Sequence, residues 1–412
     1  MGHSPLGKLS AYPMIDQEMN EPTPHSCPAC GRIGLRPFYE TRSAPANSCV
    51  LISSRSEALQ YPTGDIVLMF CRSCGFITNS AYDPARAEYS ERYEASQAFS
   101  PTFNAFHVDL ARRLIERFDL HYKKIIEIGC GQGEFLSILC ELGGNRGVGF
   151  DPGYRGEEGA ASHSAIQFVK DYYSEKYAHH RADFVCCKMT LEHIHIPFDF
   201  VRMVRRSLET APKATVFFMV PDASRILESH AFEDIYYEHC SYFTPVALAM
   251  LFERAGFRVL KVESEYGGQY LTIEASLAGG SGASRIDSFE DMEQLARQVE
   301  SFRKGVDEKI GTWKTRLTEL TRQGKKIVLW GSGSKASAFI VAVGLPGEIP
   351  YVVDINPRKQ GFYMAGTGQK IISPEFLQRY RPDKVIVMNP AYQEEIRRNL
   401  NAVDVKAEVI SL

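Results

Sequence analysis

Two pairs of cysteines, Cys27 with Cys30 and Cys71 with Cys74, stand in CPAC and CRSC knuckles, each followed by glycine. Four thiolates at this spacing can close a tetrahedral all-sulfur zinc site, in which protein fills every ligand position and the metal is structural. No histidine or carboxylate accompanies the pairs in a way that would leave a position open for catalysis. A second set lies in IIEIGCGQGEFL, where Gly129, Gly131 and Gly133 follow an apolar run and open a helical pattern. Glycines let the backbone approach a ligand closely, and the helix start offers unpaired N–H groups. Alone, such a turn suits NAD, flavin and S-adenosylmethionine about equally. Glu127 precedes it, Asp151 ends the next apolar run where a carboxylate can accept ribose hydroxyls, and Asp171 ends a third, where it can meet an adenine amino group.

The glycine turn with two later strand-end acids resembles motif I and its successors in class I methyltransferases, which bind S-adenosylmethionine. MTLEHIHIP follows a fourth run; Met189 opens it on the donor side, His193 stands in the LEH pattern, and His195 reads as a loop histidine. In DIYYEHCSYFTP, Tyr236, Glu238 and His239 crowd donors, acceptors and bases into four positions. Carbon methylation needs a base for an acidic proton beside a carbonyl and a donor for the enolate oxygen, and this set supplies both. Alternatively, Glu238 and His239 cap the helix beginning near Thr244, although Thr244 followed by Pro245 is itself a good cap. WGSGSKASAF carries Gly331, Gly333 and Lys335 in a further turn able to receive a phosphate, or else kept only for packing, and Asp354 ends the next strand.

The elements that must position these groups read as alternating strands and helices. Apolar runs at 124–129, 145–151, 165–171, 182–189 and 214–221 are separated by helical patterns, and 257–266 and 269–277 form a hairpin at Gly267 and Gly268. This predicts a parallel α/β sheet closed by a hairpin, preceded by a helix over 103–118. A glycine-serine linker (279–284) and a charged helix (288–322) lead to three more strand runs. The expected division is a flexible tail (1–24), a zinc-binding lobe (25–85), a methyltransferase domain (86–285), and a linking helix with a C-terminal Rossmann-like substrate-binding domain (286–412).

The 412 residues carry a net charge of −3, with 44% hydrophobic and 24% charged residues, as in a soluble globular chain with no basic field for nucleic acid. No signal sequence or membrane span is evident, so a cytoplasmic monomer or homodimer with a small-molecule substrate is expected. An RNA or protein methyltransferase would want basic clusters on the knob, for which Arg32, Arg36, Arg42 and Arg72 are a weak case. A non-catalytic S-adenosylmethionine binder would not need Tyr236, Glu238 and His239.

Taken in order, the knuckles, EIGCGQG, the LEH loop, YxEHxxYF and a C-terminal GxGxKA turn resemble the sugar C-methyltransferases that act on nucleotide-linked ketodeoxysugars in natural-product pathways. The resemblance implies S-adenosylmethionine and a structural zinc, with Tyr236, Glu238, His239 and His193 catalytic. It also implies a tyrosine reaching in from before the core, Tyr93 with Tyr89 as rival, and nucleotide contacts from Lys335. The turn Gly267-Gly268-Gln269-Tyr270 and the pair Asn389-Pro390 depart from the family pattern, which leaves a non-sugar ketone as the alternative acceptor.

Overall fold

The computed structural model describes residues 26–87, 89–156, 165–277 and 292–412. The expected tail, His25, the 279–284 linker and the 285/286 boundary lie outside the described residues.

An antiparallel sheet leads the chain, formed by β1 (Arg36–Pro45), β2 (Thr63–Phe70) and β3 (Ile77–Asn79). The central sheet contains β4 (Lys124–Ile128), β5 (Arg146–Phe150), β6 (Ile166–Val169), β7 (Phe184–Lys188) and β8 (Thr215–Pro221) in parallel. A short strand β9 (Ser241–Tyr242) follows, and then β10 (Arg258–Glu265) and β11 (Tyr270–Ser276). The central order is β10-β11-β8-β7-β4-β5-β6, with β11 antiparallel to both neighbours. This is the class I methyltransferase sheet. Every side chain of β7 is buried, as helices on both faces require.

The C-terminal sheet is parallel, in the order β14 (Lys370–Ile372), β13 (Tyr351–Val353), β12 (Ile327–Trp330), β15 (Lys384–Val387), β16 (Glu408–Ser411). Three of these strands are legible in sequence. The outer two escape because three or four residues at a sheet edge carry too little periodicity.

One pairing has no sequence signal: β9 adds to β3, so residues just past His239 belong to the N-terminal sheet. The lobes also share a core. Tyr39 and Ile52 from the first, Ile226 and Phe232 from the second, and Phe302 and Phe339 from the third unit form one buried cluster. The helix Met292–Arg322 threads through it, burying Leu295, Val299, Phe302, Val306, Trp313 and Leu317 on one face. Against the central strands packs the helix Pro101–Phe118, which starts at Ser100, whose side chain accepts from Phe103 N, with Pro101 in its first turn.

Candidate active site

The three units wall one cavity of about 520 Å³. On its donor side the turn after β4 closes tightly. Gly129 (φ +70°) could take no Cβ, because the atom would lie 2.0 Å from Thr190 Oγ1, and at Gly133 (φ +87°) it would lie 2.3 Å from Phe168. Asp151, at the end of β5, accepts from Gly131 N at 2.8 Å and Gly153 N at 2.7 Å. Burial lifts its carboxyl to about 6, although both N–H groups favour the charged form. Glu127 is buried beside Lys188, 3.2 Å away, whose ammonium stands 4.0 Å from the centre of the Phe135 ring. Met189 (φ +53°) lines the wall, as do Gly129 and Gly131 of the turn, whereas Gly133 lies behind it. Asp171 does not. Its carboxylate takes Lys176, the Tyr177 hydroxyl at 2.6 Å and Tyr172 N at 2.8 Å, and its neighbour Tyr172 faces the cavity in its place.

Across the cavity His193, Tyr236 and His239 converge. The rings of His239 and Tyr236 lie 4.1 Å apart, and those of His239 and His193 4.8 Å. His239 is 5% exposed and its Nδ1 has no hydrogen-bond partner. Burial, with His193 and Lys335 nearby, holds its basicity well below the usual imidazole range, so the ring is neutral and keeps a lone pair on one nitrogen. His193 Nδ1 lies 2.9 Å from the carbonyl oxygen of Glu238. A carbonyl only accepts, so the hydrogen of the neutral ring is on Nδ1 and Nε2 keeps a lone pair. This corrects the catalytic role that the resemblance gives His193 in one respect: as an oxyanion donor it fails, since Nε2 has no hydrogen to give. Burial also lowers the basicity of His193, the Glu238 carboxylate opposing.

A second correction concerns Glu238. Its carboxylate accepts from Asn47 Nδ2 at 3.1 Å, from Ser48 N at 3.2 Å, from the Ser48 hydroxyl, and from Ser334 Oγ at 3.3 Å. These partners come from the first and third units, and Glu238 is outside the cavity wall. It clamps the YxEH segment and, unlike the catalytic glutamate that the resemblance implies, does not face the cavity. The helix that follows is capped by Thr244, which accepts from Ala247 N at 3.2 Å. Tyr93 and Tyr89 both face the cavity, but the hydroxyl on His193 Nδ1, at 2.8 Å, belongs to Tyr89. His195 lies outside the wall, with Tyr82 beside it.

The C-terminal turn contributes Gly331 (φ +98°), Gly333 and Lys335, and Lys335 pairs with Asp234, which also holds Arg225. Asp354 accepts from Ser332 N at 2.9 Å and Ser332 Oγ at 2.5 Å. The two departures from the family pattern meet: Gln269 and Asn389 exchange amide hydrogen bonds of 2.8 and 2.7 Å at the cavity edge. Two contributors were missed in sequence. Glu94, 1% exposed, accepts from Arg155 at 2.7 Å and Asn356 at 3.1 Å. Glu192 is buried, with a carboxyl oxygen within 4.8 Å of a nitrogen of each histidine, and its signal was plain, since it is the middle residue of LEH.

Apart from the cavity, the four knuckle cysteines gather with their sulfurs within 4.8 Å of one another, Cys27 to Cys74 and Cys30 to Cys71 both at 3.7 Å. Four sulfurs about 2.3 Å from one ion would stand roughly 3.8 Å apart. Both knuckles have the same local bonding: Gly31 N reaches Cys27 O at 2.7 Å, and Gly75 N reaches Cys71 O at 2.9 Å.

A profile for a methyltransferase domain matches residues 103–262, and one for a C-methyltransferase C-terminal domain matches residues 283–410. The C-methyltransferase NovU of Streptomyces niveus is 28% identical over 356 residues, covering 81% of this chain and 82% of that protein. Among solved structures, a SAM-dependent methyltransferase from Aquifex aeolicus is 14% identical over 44% of this chain and 96% of its own, with a TM-score of 0.32. CalO1, a methyltransferase in calicheamicin biosynthesis in its SAH-bound form, is 19% identical over 43% and 54%, with a TM-score of 0.34. The chain is an S-adenosylmethionine-dependent methyltransferase, similar in its C-terminal part and over most of its length to C-methyltransferases.

Proposed function

We propose that the enzyme methylates a carbon next to a ketone on a nucleotide-linked deoxysugar. The observation that carries this reading is a shared cavity lined by a donor-type glycine turn, by a second glycine turn with Lys335, and by His239 and Tyr236. S-adenosylmethionine supplies an electrophilic methyl group when bound. Asp151 and the turn around Gly131 would hold its ribose, and Glu127 and Met189 line the same side of the cavity. His239 takes the proton from the substrate carbon. The Tyr236 hydroxyl, kept un-ionised by burial, donates to the ketone oxygen as charge builds there. Tyr89 and Tyr93 shape the wall by His193, and the turn from Gly331 to Lys335 receives the nucleotide diphosphate. Cys27, Cys30, Cys71 and Cys74 hold a structural zinc with no part in the reaction.

Nucleoside-diphosphate ketodeoxysugars, incubated with S-adenosylmethionine and analysed by mass spectrometry, should gain one methyl group on carbon. His239→Ala should slow the reaction about 10²- to 10⁴-fold with donor affinity unchanged. Methylation on oxygen or nitrogen, or turnover only of non-sugar ketones, would refute the substrate assignment.

A further inference from the structure

We propose that Glu192 is a further catalytic residue, a carboxylic acid that donates a hydrogen bond to the ketone oxygen of the substrate as His239 takes the neighbouring proton. The inference rests on the reading that a carbon beside a ketone is methylated. Glu192 occupies the middle of the turn Leu191–His193, directly after β7, and faces the cavity. It is 1% exposed, and its Oε2 is without a hydrogen-bond partner. A carboxyl oxygen, a His193 nitrogen and a His239 nitrogen lie within 4.8 Å of one another. Its backbone is fixed by Cys240, whose N–H donates to the Glu192 carbonyl at 3.0 Å.

A second donor beside Tyr236 would have no rival among the other groups of the cluster. His193 offers a lone pair at Nε2, and Glu238 is bound by Asn47, Ser48 and Ser334, which leaves Tyr236 as the donor already placed in the cluster. The groups around the Glu192 carboxyl are His193 on its own turn, Cys187 from β7, Tyr236, His239 and Cys240 from the YxEH segment, and Tyr270 from β11. None of these carries a positive charge, so the carboxylate form finds no counter-ion. Burial raises the carboxyl to about 8, with only its own backbone N–H favouring ionisation. Below that pH the hydrogen stays on Glu192, in the manner of acids kept neutral by apolar sites to serve as oxyanion donors.

In the step itself the carbon–hydrogen bond breaks and its proton goes to His239. The electron pair moves into the carbon–carbon bond, and charge collects on the ketone oxygen under the Glu192 O–H. The carbon then bonds to the methyl group as the sulfur–methyl bond of S-adenosylmethionine breaks, its electron pair staying on sulfur in the departing S-adenosylhomocysteine, and the oxygen returns to a ketone, Glu192 keeping its hydrogen throughout.

Exchange of the substrate α-proton with deuterated solvent, measured without methyl donor on a thymidine-diphosphate-linked ketodeoxyhexose, tests this. Wild-type exchange should fall as pH rises through about 8. Glu192→Gln keeps an N–H donor, so it should stay within about tenfold of wild type and lose that alkaline fall. Glu192→Ala should drop about 10²- to 10³-fold. S-adenosylhomocysteine affinity should be unaltered in both, which monitors folding. An alkaline fall that persists in Glu192→Gln, or full exchange in a folded Glu192→Ala, overturns the assignment while leaving the proposed function standing. Absence of exchange in the wild type removes both together.

Discussion

At the scale of single residues, the donor pocket depends on a carboxylate already engaged by the protein. Asp151 spends one lone pair of each oxygen on the N–H groups of Gly131 and Gly153, and a second pair on each remains for the ribose hydroxyls. Asp151→Ala should therefore lose both the turn and the ribose contacts, weakening S-adenosylhomocysteine binding by about 2 to 4 kcal/mol in calorimetry. Ribose hydroxyls donate, so the carboxyl must be ionised to accept them. With burial lifting it to about 6, donor affinity should be steady near neutrality and decline as pH falls through 6. A pH-independent affinity between 5 and 8 would show that Asp151 does not hold the ribose. Gly129→Ala attacks the same turn by shape alone. The new Cβ would lie 2.0 Å from Thr190 Oγ1 on a backbone at φ +70°, at a cost of about 1 to 3 kcal/mol or more, visible as a lower melting temperature.

At the scale of elements, the cysteine knuckles connect to the candidate site through a strand. The second knuckle leads into β3, β3 pairs with β9, and β9 begins two residues after His239. Arg254 ties the first knuckle to the central domain through Ala29 O at 2.6 Å, and Thr244 reaches Gly75 O at 3.4 Å. Protein prepared without chelator should hold close to one zinc per chain. Stripping the metal, or Cys71→Ser, should then speed amide exchange across 236–243 and lower activity. Zinc-free protein with full activity and unchanged exchange would separate the knuckles from the site. This coupling also marks the limit of what sequence discloses. The class I strands were legible from their buried apolar runs, and Gly129, Gly131, Gly133 and Asp151 from their strand-end positions. The two-residue β9 has no periodicity to detect. Whether the carboxyl of Glu238 or that of Glu192 faces the cavity depends on packing against Asn47, Ser48 and Ser334, distant in sequence. Asp171 is the converse case, a strand-end acid drawn away by Lys176 and Tyr177.

At the scale of the whole molecule, three sheets suggest three bodies that could fold apart, but the side chains between them do not separate that way. One apolar cluster takes residues from every unit, and the helix Met292–Arg322 would expose Leu295, Val299, Phe302 and Trp313 if either neighbour were removed. Polar links cross the same seams: Glu395 accepts from Ser100 Oγ at 2.7 Å and Thr102 N at 3.0 Å, Gln269 pairs with Asn389, and Glu238 spans all three units. Units joined by a continuous hydrophobic core should lose structure together, in contrast to domains that meet across small polar interfaces. Calorimetry of the zinc-loaded protein should accordingly give one unfolding transition. S-adenosylhomocysteine at about a hundredfold excess over its Kd adds about 2.7 kcal/mol and should raise that transition by a few degrees as a unit. Tryptophan emission is a local reporter, because both tryptophans, Trp313 and Trp330, lie in the C-terminal part, outside the central sheet. Emission should shift at the same temperature as the calorimetric peak, and by the same amount with ligand. Two resolved transitions, with the ligand moving only the one silent in tryptophan emission, would mean that the C-terminal unit folds independently and that the cavity is assembled from bodies free to part.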